Sequence, residues 1–197
     1  MINRAVPYDA SAILTPANGV TVARLLASPV LIVLILLHGP SYPALWLGVI
    51  IAVTDGVDGY LARRHGATRS GAFLDPLADK VLVLGSMGAL LAVHQFPAFP
   101  VVVIAARELL ISVYRSFWAR RGLAIPARRS AKVKTVVQEF SVAFALIPPV
   151  AVHARWIPLG LLWIAVGLTI WTGARYLLDG QKARTALGSR SPQGAHS

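Results

Sequence analysis

The sequence predicts an all-α, polytopic membrane protein with six transmembrane helices, and three observations carry that reading. Hydrophobic residues make up 56% of the 197-residue chain, and the mean hydropathy of +0.64 lies outside the range of soluble domains. Apolar runs near the ~20 residues that a helix needs to cross the hydrocarbon recur from end to end. Most of the 19 Lys and Arg residues, which against 8 Asp and Glu set a formal charge of +11, gather at alternate ends of those runs.

Taken in order, the first span runs from Val20 to Leu37 and contains Pro29, a residue expected to kink or end its helix. The second, Pro43–Ala62, opens on "ALWLGVIIAV", and the third, Phe73–Val93, closes on "VLVLGSMGALLAV". The fourth, Phe99–Trp118, carries Arg107 about halfway along. The fifth, Val133–Val152, meets Pro148-Pro149 near its end, where a kink or stop is expected, and the sixth is Trp156–Leu178. Together they form one domain over residues 1–186, followed by a disordered tail over 187–197. The first 15 residues hold no long apolar core and the first such core is followed by no small-residue cleavage pattern, so no cleavable signal peptide is expected. Zero cysteines exclude disulfides and thiolate ligands.

The charge pattern sets an orientation. Arg63, Arg64 and Arg69 follow the second span, Arg120 to Lys134 follow the fourth, and Lys182, Arg184 and Arg190 follow the sixth. The opposite connections "HGPSYP" and "HQFPAFP" carry no Lys or Arg, and "HARW" carries one. The positive-inside rule therefore places both termini and the loop after Arg63 in the cytoplasm. Because the cations sit at span ends, beside anionic headgroups, the basic balance implies a lipid bilayer and no nucleic acid. His38, His94 and His153 fall in the external connections and read as interfacial. Trp46, Trp118, Trp156, Trp163 and Trp171 read as interfacial anchors or lipid-facing bulk.

Against this apolar background, four of the eight acidic residues, Asp55, Asp58, Asp75 and Asp79, crowd into "TDGVDGYLARRHGATRSGAFLDPLADK". Asp55, Asp58, Gly59 and Ala62 are spaced i, i+3, i+4, i+7 and share one helical face. Gly71, Asp75 and Asp79 share another, at i, i+4, i+8, on a helix that must turn back as the antiparallel neighbour of the first. Four carboxylates at membrane depth repel one another unless positive charge lies between them. Hard oxygen donors with no nearby His or Cys favour Mg²⁺ or Mn²⁺, and four carboxylates suffice for two ions. Two such ions are a known apparatus for phosphoryl chemistry. Gly56, Gly59, Ala62 and Gly71 either allow tight helix packing or leave room for a flat or phosphorylated group; their register with the four Asp favours the second.

The pattern Asp55-x2-Asp58-Gly59-x2-Ala62-Arg63 … Gly71-x3-Asp75-x3-Asp79 resembles the signature of the CDP-alcohol phosphatidyltransferases, six-helix membrane enzymes of phospholipid synthesis that are usually dimeric. Upstream, Asn18, Thr21 and Arg24 match the family's segment opening the first span. Downstream, "RELLISVYR", "AKVKT" and "GAFLDPLADK" are similar to segments of the branch that makes phosphatidylglycerol phosphate. The connection Arg64–Ser70 is one residue shorter than the family pattern, and Ala131 stands where that branch more often has Gly. The resemblance implies transfer of a phosphatidyl group from CDP-diacylglycerol to an alcohol, with release of CMP. It makes Asp55, Asp58 and Asp75 metal ligands, and Asp79 both a ligand and the general base. It assigns Gly59, Ala62, Arg63 and Gly71 to the CDP-diacylglycerol site, with Asn18, Thr21 and Arg24 near it, and implies a homodimer.

The acceptor would be held by Arg107, Arg115, Lys132 and Lys134, which the topology puts toward the cytoplasmic end of spans four and five. For Lys132 and Lys134 taken singly, ordinary flanking charge explains them equally well. Arg107 is different, since a lone cation within a span is costly. Glu108 is turned roughly 100° from Arg107 and is expected to pair instead with Ser112 or Arg115 on its own face. Four cations suit a phosphorylated acceptor such as glycerol 3-phosphate, and inositol phosphate fits the same description. Phosphatidylglycerol as acceptor, giving cardiolipin, is a further alternative within the same chemistry. A cation transporter is the competing class, disfavoured because the Asp cluster sits near one membrane face and the spans show no inverted repeat.

The orientation is open to direct test in this cysteine-free chain. A cysteine at Ser41 should react with an impermeant thiol reagent applied from outside, and one at His65 should not; the reverse pattern would put the Asp cluster on the wrong side of the membrane.

Overall fold

The computed structural model describes residues 16–65, 69–120 and 129–188, with their side chains over 19–54, 77–114 and 133–174. These residues form seven helices: α1 (Pro16–His38), α2 (Tyr42–His65), α3 (Arg69–Ala92), α4 (Ala98–Arg120), α5 (Arg129–Leu146), α6 (Pro148–His153) and α7 (Trp156–Gly188). No strand occurs among the described residues. The six long helices coincide with the six apolar runs. By length and composition, Gly19–His38 and Trp156–Ala174 qualify as membrane spans among the described residues, and Tyr42–Thr54 is a shorter apolar helix.

The fifth run is not one continuous helix. Ile147 is extended, with φ −74° and ψ 112°, and α6 restarts on Pro148-Pro149. Proline lacks the N–H that a continuing helix requires but suits its first turn, where that N–H has no partner anyway. Pro29, by contrast, does not end its helix, and α1 continues through it to His38. At the other end of the chain, α7 takes in Leu187 and Gly188 from the stretch expected to be a disordered tail; residues 189–197 lie outside the described residues.

Two helix ends show how their carbonyls are satisfied. Gly39 takes φ +65° and returns its N–H to Ile35 O at 2.8 Å. His94 takes φ +58° after α3, so that His94 N bonds Leu91 O and Gln95 N bonds Leu90 O, at 3.0 and 2.8 Å. This paired closure is the usual way of ending a helix through a left-handed residue. Arg155 then donates to the carbonyls of both His94 and Gln95. This arginine, between α6 and α7, thus caps the carbonyl end of α3, where positive charge is favoured.

α1 packs along both α2 and α3, while α7 packs along α4 and α5. Their shared core includes Leu31, Ile35, Met87, Leu90, Ile104, Leu146 and Leu162. The outer surface is the more unusual one. Leu26, Leu37, Leu110 and Trp156 are about seven-tenths exposed, whereas Thr21, Arg24, Ser28, Lys134, Gln138, Ser141, Thr169 and Thr172 are buried. Large apolar side chains turned outward and polar ones turned inward are what a hydrocarbon solvent selects.

At Gly85 the side chain of Ile32 on α1 packs against α3. A Cβ added there would fall 2.4 Å from Ile32 Cδ1 and 3.2 Å from its Cγ1, while one on Gly88 would meet nothing within 4 Å. Gly85→Leu should lower stability in detergent micelles by about 1–3 kcal/mol, the usual cost of overpacking. Gly88→Leu, one turn on, should stay within about 0.5 kcal/mol. Equal effects in thermal unfolding would show that α1 and α3 do not meet at Gly85.

Candidate active site

α2 ends at His65 and α3 begins at Arg69, so Asp55 and Asp58 fall in the last turns of one helix and Asp75 and Asp79 in the first turns of the next. Asp55 and Asp79, the outer pair, each stand about three turns, or ~15 Å, from those adjoining ends. The expected helical spacing therefore holds in the backbone. The side chains of Asp55, Asp58, Gly59, Ala62, Arg63, Gly71 and Asp75 lie outside the described residues, as do those of Asn18, Arg115 and Lys132. Asp79, Thr21, Arg24, Arg107 and Lys134 are described.

Asp79 is held from behind. Arg24 Nη1 donates to Asp79 Oδ1 at 2.9 Å, tying α1 to α3; the Arg24 side chain has no exposure, whereas that of Asp79 is 46% exposed. Arg24 owes this position to helical spacing. Thr21, Arg24, Ser28, Leu31 and Ile35 follow at i, i+3, i+7, i+10, i+14 and are all buried, forming the inward stripe of α1. Ser28 Oγ donates to Arg24 O at 2.8 Å one turn further along. A guanidinium so enclosed needs an anion within reach, and a carboxylate so braced presents a fixed direction to whatever approaches from its exposed side. Arg24 thus stands next to Asp79, with its head turned to that carboxylate.

A second ionic cluster joins α4, α5 and α7. Glu108 Oε1 accepts from Arg107 Nη1 at 3.0 Å and from Lys134 Nζ. Arg107 Nη2 donates to Thr172 Oγ1 at 3.0 Å. Glu108 thus pairs with Arg107, a partner not expected from helical geometry: the two residues leave the helix about 100° apart, but the long guanidinium arm closes the angle, while the expected partner Arg115 lies outside the described side chains. Ser112 does approach Glu108, donating Oγ to its backbone carbonyl at 2.6 Å rather than to the carboxylate. The structure brings Arg107 and Lys134 together on the Glu108 carboxylate. The residue that sequence reasoning left out of the site is the acid between them, and its signal was a carboxylate beside a mid-span arginine.

Between α2 and α3 lies a cavity of about 290 Å³, bounded also by α1 and α5. Val49, Val53, Leu82 and Phe140 make its walls apolar, while Ser86 and Glu139 supply polar atoms. Val53 ends only two residues before Asp55, so the cavity runs along the same helices that carry the Asp cluster.

The chain is similar to known proteins. The family model described as CDP-alcohol phosphatidyltransferase matches residues 14–171. A Rickettsia bellii protein named CDP-diacylglycerol–glycerol-3-phosphate 3-phosphatidyltransferase is 36% identical over 165 residues, covering 81% of this chain and 91% of its own. A Pseudomonas fluorescens protein of the same name is 38% identical over 170 residues, covering 81% and 87%. A Shigella flexneri protein, again so named, is 38% identical over 134 residues, covering 65% and 72%.

The Arg24–Asp79 pair predicts an asymmetry. Losing Asp79 removes a carboxylate held by a fully enclosed guanidinium, whereas losing Arg24 leaves a carboxylate that water still reaches. Asp79→Asn should therefore cost up to about 3 kcal/mol, and Arg24→Met about half of that or less. Unfolding of both variants in the same detergent checks the order, and a larger loss for Arg24→Met would contradict it.

Proposed function

The chain belongs to the CDP-alcohol phosphatidyltransferase family, and from that premise we propose that it transfers the phosphatidyl group of CDP-diacylglycerol to the hydroxyl of glycerol 3-phosphate, releasing CMP and forming phosphatidylglycerol phosphate. The observation that carries this reading is the half-exposed Asp79 carboxylate, braced by buried Arg24 on the helix that also bears Asp75. The names of the similar bacterial proteins support the donor and the acceptor.

In the proposed reaction the acceptor hydroxyl oxygen forms a bond to the phosphorus that carries diacylglycerol. The anhydride bond on the opposite side breaks, and CMP departs with the bridging oxygen. Asp79 takes the hydroxyl proton, with Arg24 fixing the direction from which it does so. Asp55, Asp58, Asp75 and Asp79 would hold two Mg²⁺ or Mn²⁺ ions, whose chemistry when bound is to offset charge gathering on the phosphate and on CMP. Asp79 suits that set as a hard oxygen donor with an exposed side. Gly59, Ala62, Arg63 and Gly71 complete the cytidine diphosphate site, with Asn18, Thr21 and Arg24 beside it. The apolar cavity between α2 and α3 takes hydrocarbon of the donor. Arg115, Lys132 and Lys134 grip the acceptor phosphate.

This reading makes the protein a membrane enzyme whose six long helices all cross the bilayer, with α6 as the external continuation of α5. The active site and both termini face the cytoplasm. Two copies assemble as a homodimer; Val102, Leu109 and Val113, each more than half exposed on α4, make an apolar strip that a second copy would cover.

Purified protein given CDP-diacylglycerol and a panel of alcohols should release CMP with glycerol 3-phosphate and far less with glycerol. A lost charge-assisted contact of roughly 1.5–3 kcal/mol corresponds to about tenfold or more in acceptor use. Chelation should abolish turnover and Mg²⁺ or Mn²⁺ restore it. Asp55→Asn, Asp58→Asn and Asp75→Asn should each cut it about 100-fold or more. Equal use of phosphate-free lipid alcohols would move the reading to cardiolipin synthesis, and cation flux without CMP release would move it to a transporter.

A further inference from the structure

The acceptor site as proposed contains a difficulty that the second ionic cluster resolves. Lys134 is only 3% exposed, and a buried lysine on a flexible four-carbon stem needs something to hold its ammonium in one place. Glu108 does so from the neighbouring helix. A carboxylate beside a phosphate-binding lysine is ordinarily counterproductive, because it cancels the cation and repels the anion.

Arg107 changes that balance. It donates Nη1 to the same Oε1 of Glu108 that receives Lys134, so two cations share one carboxylate and the cluster keeps a net positive charge. The guanidinium is also fixed from its far side. Nη2 reaches Thr172 at 3.0 Å, and Nε is buried against α7, where a Cβ added to Gly173 would fall 3.3 Å from it. A side chain at Gly173 would crowd the arginine in this position.

Resting on the acceptor assignment above, we infer that Glu108 is the positioning residue of the acceptor-phosphate site: it fixes the Lys134 ammonium, while Arg107, anchored on α7 at Thr172 and Gly173, offsets the Glu108 charge so that the cluster does not repel the phosphate. Arg107 thereby becomes a strut rather than a phosphate ligand. The chain of contacts Thr172–Arg107–Glu108–Lys134 runs across three helices, so the geometry of the lysine is set by α7, which meets the acceptor nowhere in this scheme.

The test separates KM for the two substrates. Glu108→Gln keeps the shape and removes the charge; it should raise the KM for glycerol 3-phosphate at least fivefold and leave the KM for CDP-diacylglycerol within twofold. Gly173→Ala, which crowds Arg107 without touching Glu108 or Lys134, should raise the acceptor KM two- to threefold. Gly167→Ala on the same helix, where an added Cβ meets nothing within 4 Å, should leave both unchanged. An unchanged acceptor KM in folded Glu108→Gln would overturn the inference. So would parallel changes in both KM values and kcat with a lowered Tm, which mark a merely structural tie. If Glu108→Gln does not fold, Gly173→Ala decides by the same criterion. Wild-type enzyme that prefers a different phosphorylated alcohol would remove glycerol 3-phosphate as the acceptor and leave the role of Glu108 to be read with that alcohol; wild-type enzyme acting only on phosphate-free alcohols would overturn both.

Discussion

The structure depends on one constraint: a charge enclosed among apolar helices must meet its counter-charge on another helix. The cost of leaving an ion unpaired in such surroundings is several kcal/mol, more than any single apolar contact returns. Among the described residues the constraint is met twice. Arg24 reaches from α1 to Asp79 on α3, and Glu108 on α4 gathers Arg107 and Lys134, drawing in α5 and, through Thr172, α7. Apolar packing alone would allow these helices to slide or rotate past one another, because lipid tails are as apolar as leucine. Ionic ties at fixed positions remove that freedom, and the rest of the arrangement follows from them.

Much of the fold was legible in the sequence because hydropathy is a local property. The six long helices stand where the six apolar runs stand, and the positions of Asp55, Asp58, Asp75 and Asp79 on two adjoining helix ends follow from spacing alone. The interruption at Ile147 was half legible: Pro148-Pro149 announced a break, but not that a short helix would resume on them. Pro29 shows the opposite case, since its helix continues beyond it.

What sequence could not supply were contacts between residues far apart in the chain. Arg24 and Asp79 are separated by 55 positions, and Arg107 and Thr172 by 65. Nothing local distinguishes an arginine that faces a nucleotide from one that faces a carboxylate on the next helix. The Arg107–Glu108 pairing was missed for a different reason. Helical geometry describes where side chains leave the backbone, and arms as long as Arg and Glu need not end where they begin. The cavity between α2 and α3 was also invisible, because it arises from how α1 and α5 hold those helices apart and not from any property of either.

The two ionic ties also differ in a way that bears on function. At the first, the arginine is fully enclosed and the carboxylate is left half open; at the second, the lysine and the arginine are drawn inward around a carboxylate that is itself mostly covered. The first therefore presents negative charge outward, on the helix that carries Asp75, and suits the binding of cations. The second keeps a surplus of positive charge in an enclosed site and suits an anion. In the proposed reaction between a metal-bound diphosphate and a phosphorylated alcohol, both ends would be served by one device, a buried counter-ion on a separate helix. It would hold each reacting group in place and leave the sign of each site intact. That division would not survive if the ties were apolar, since apolar packing can fix a helix but cannot choose which charge the site shows.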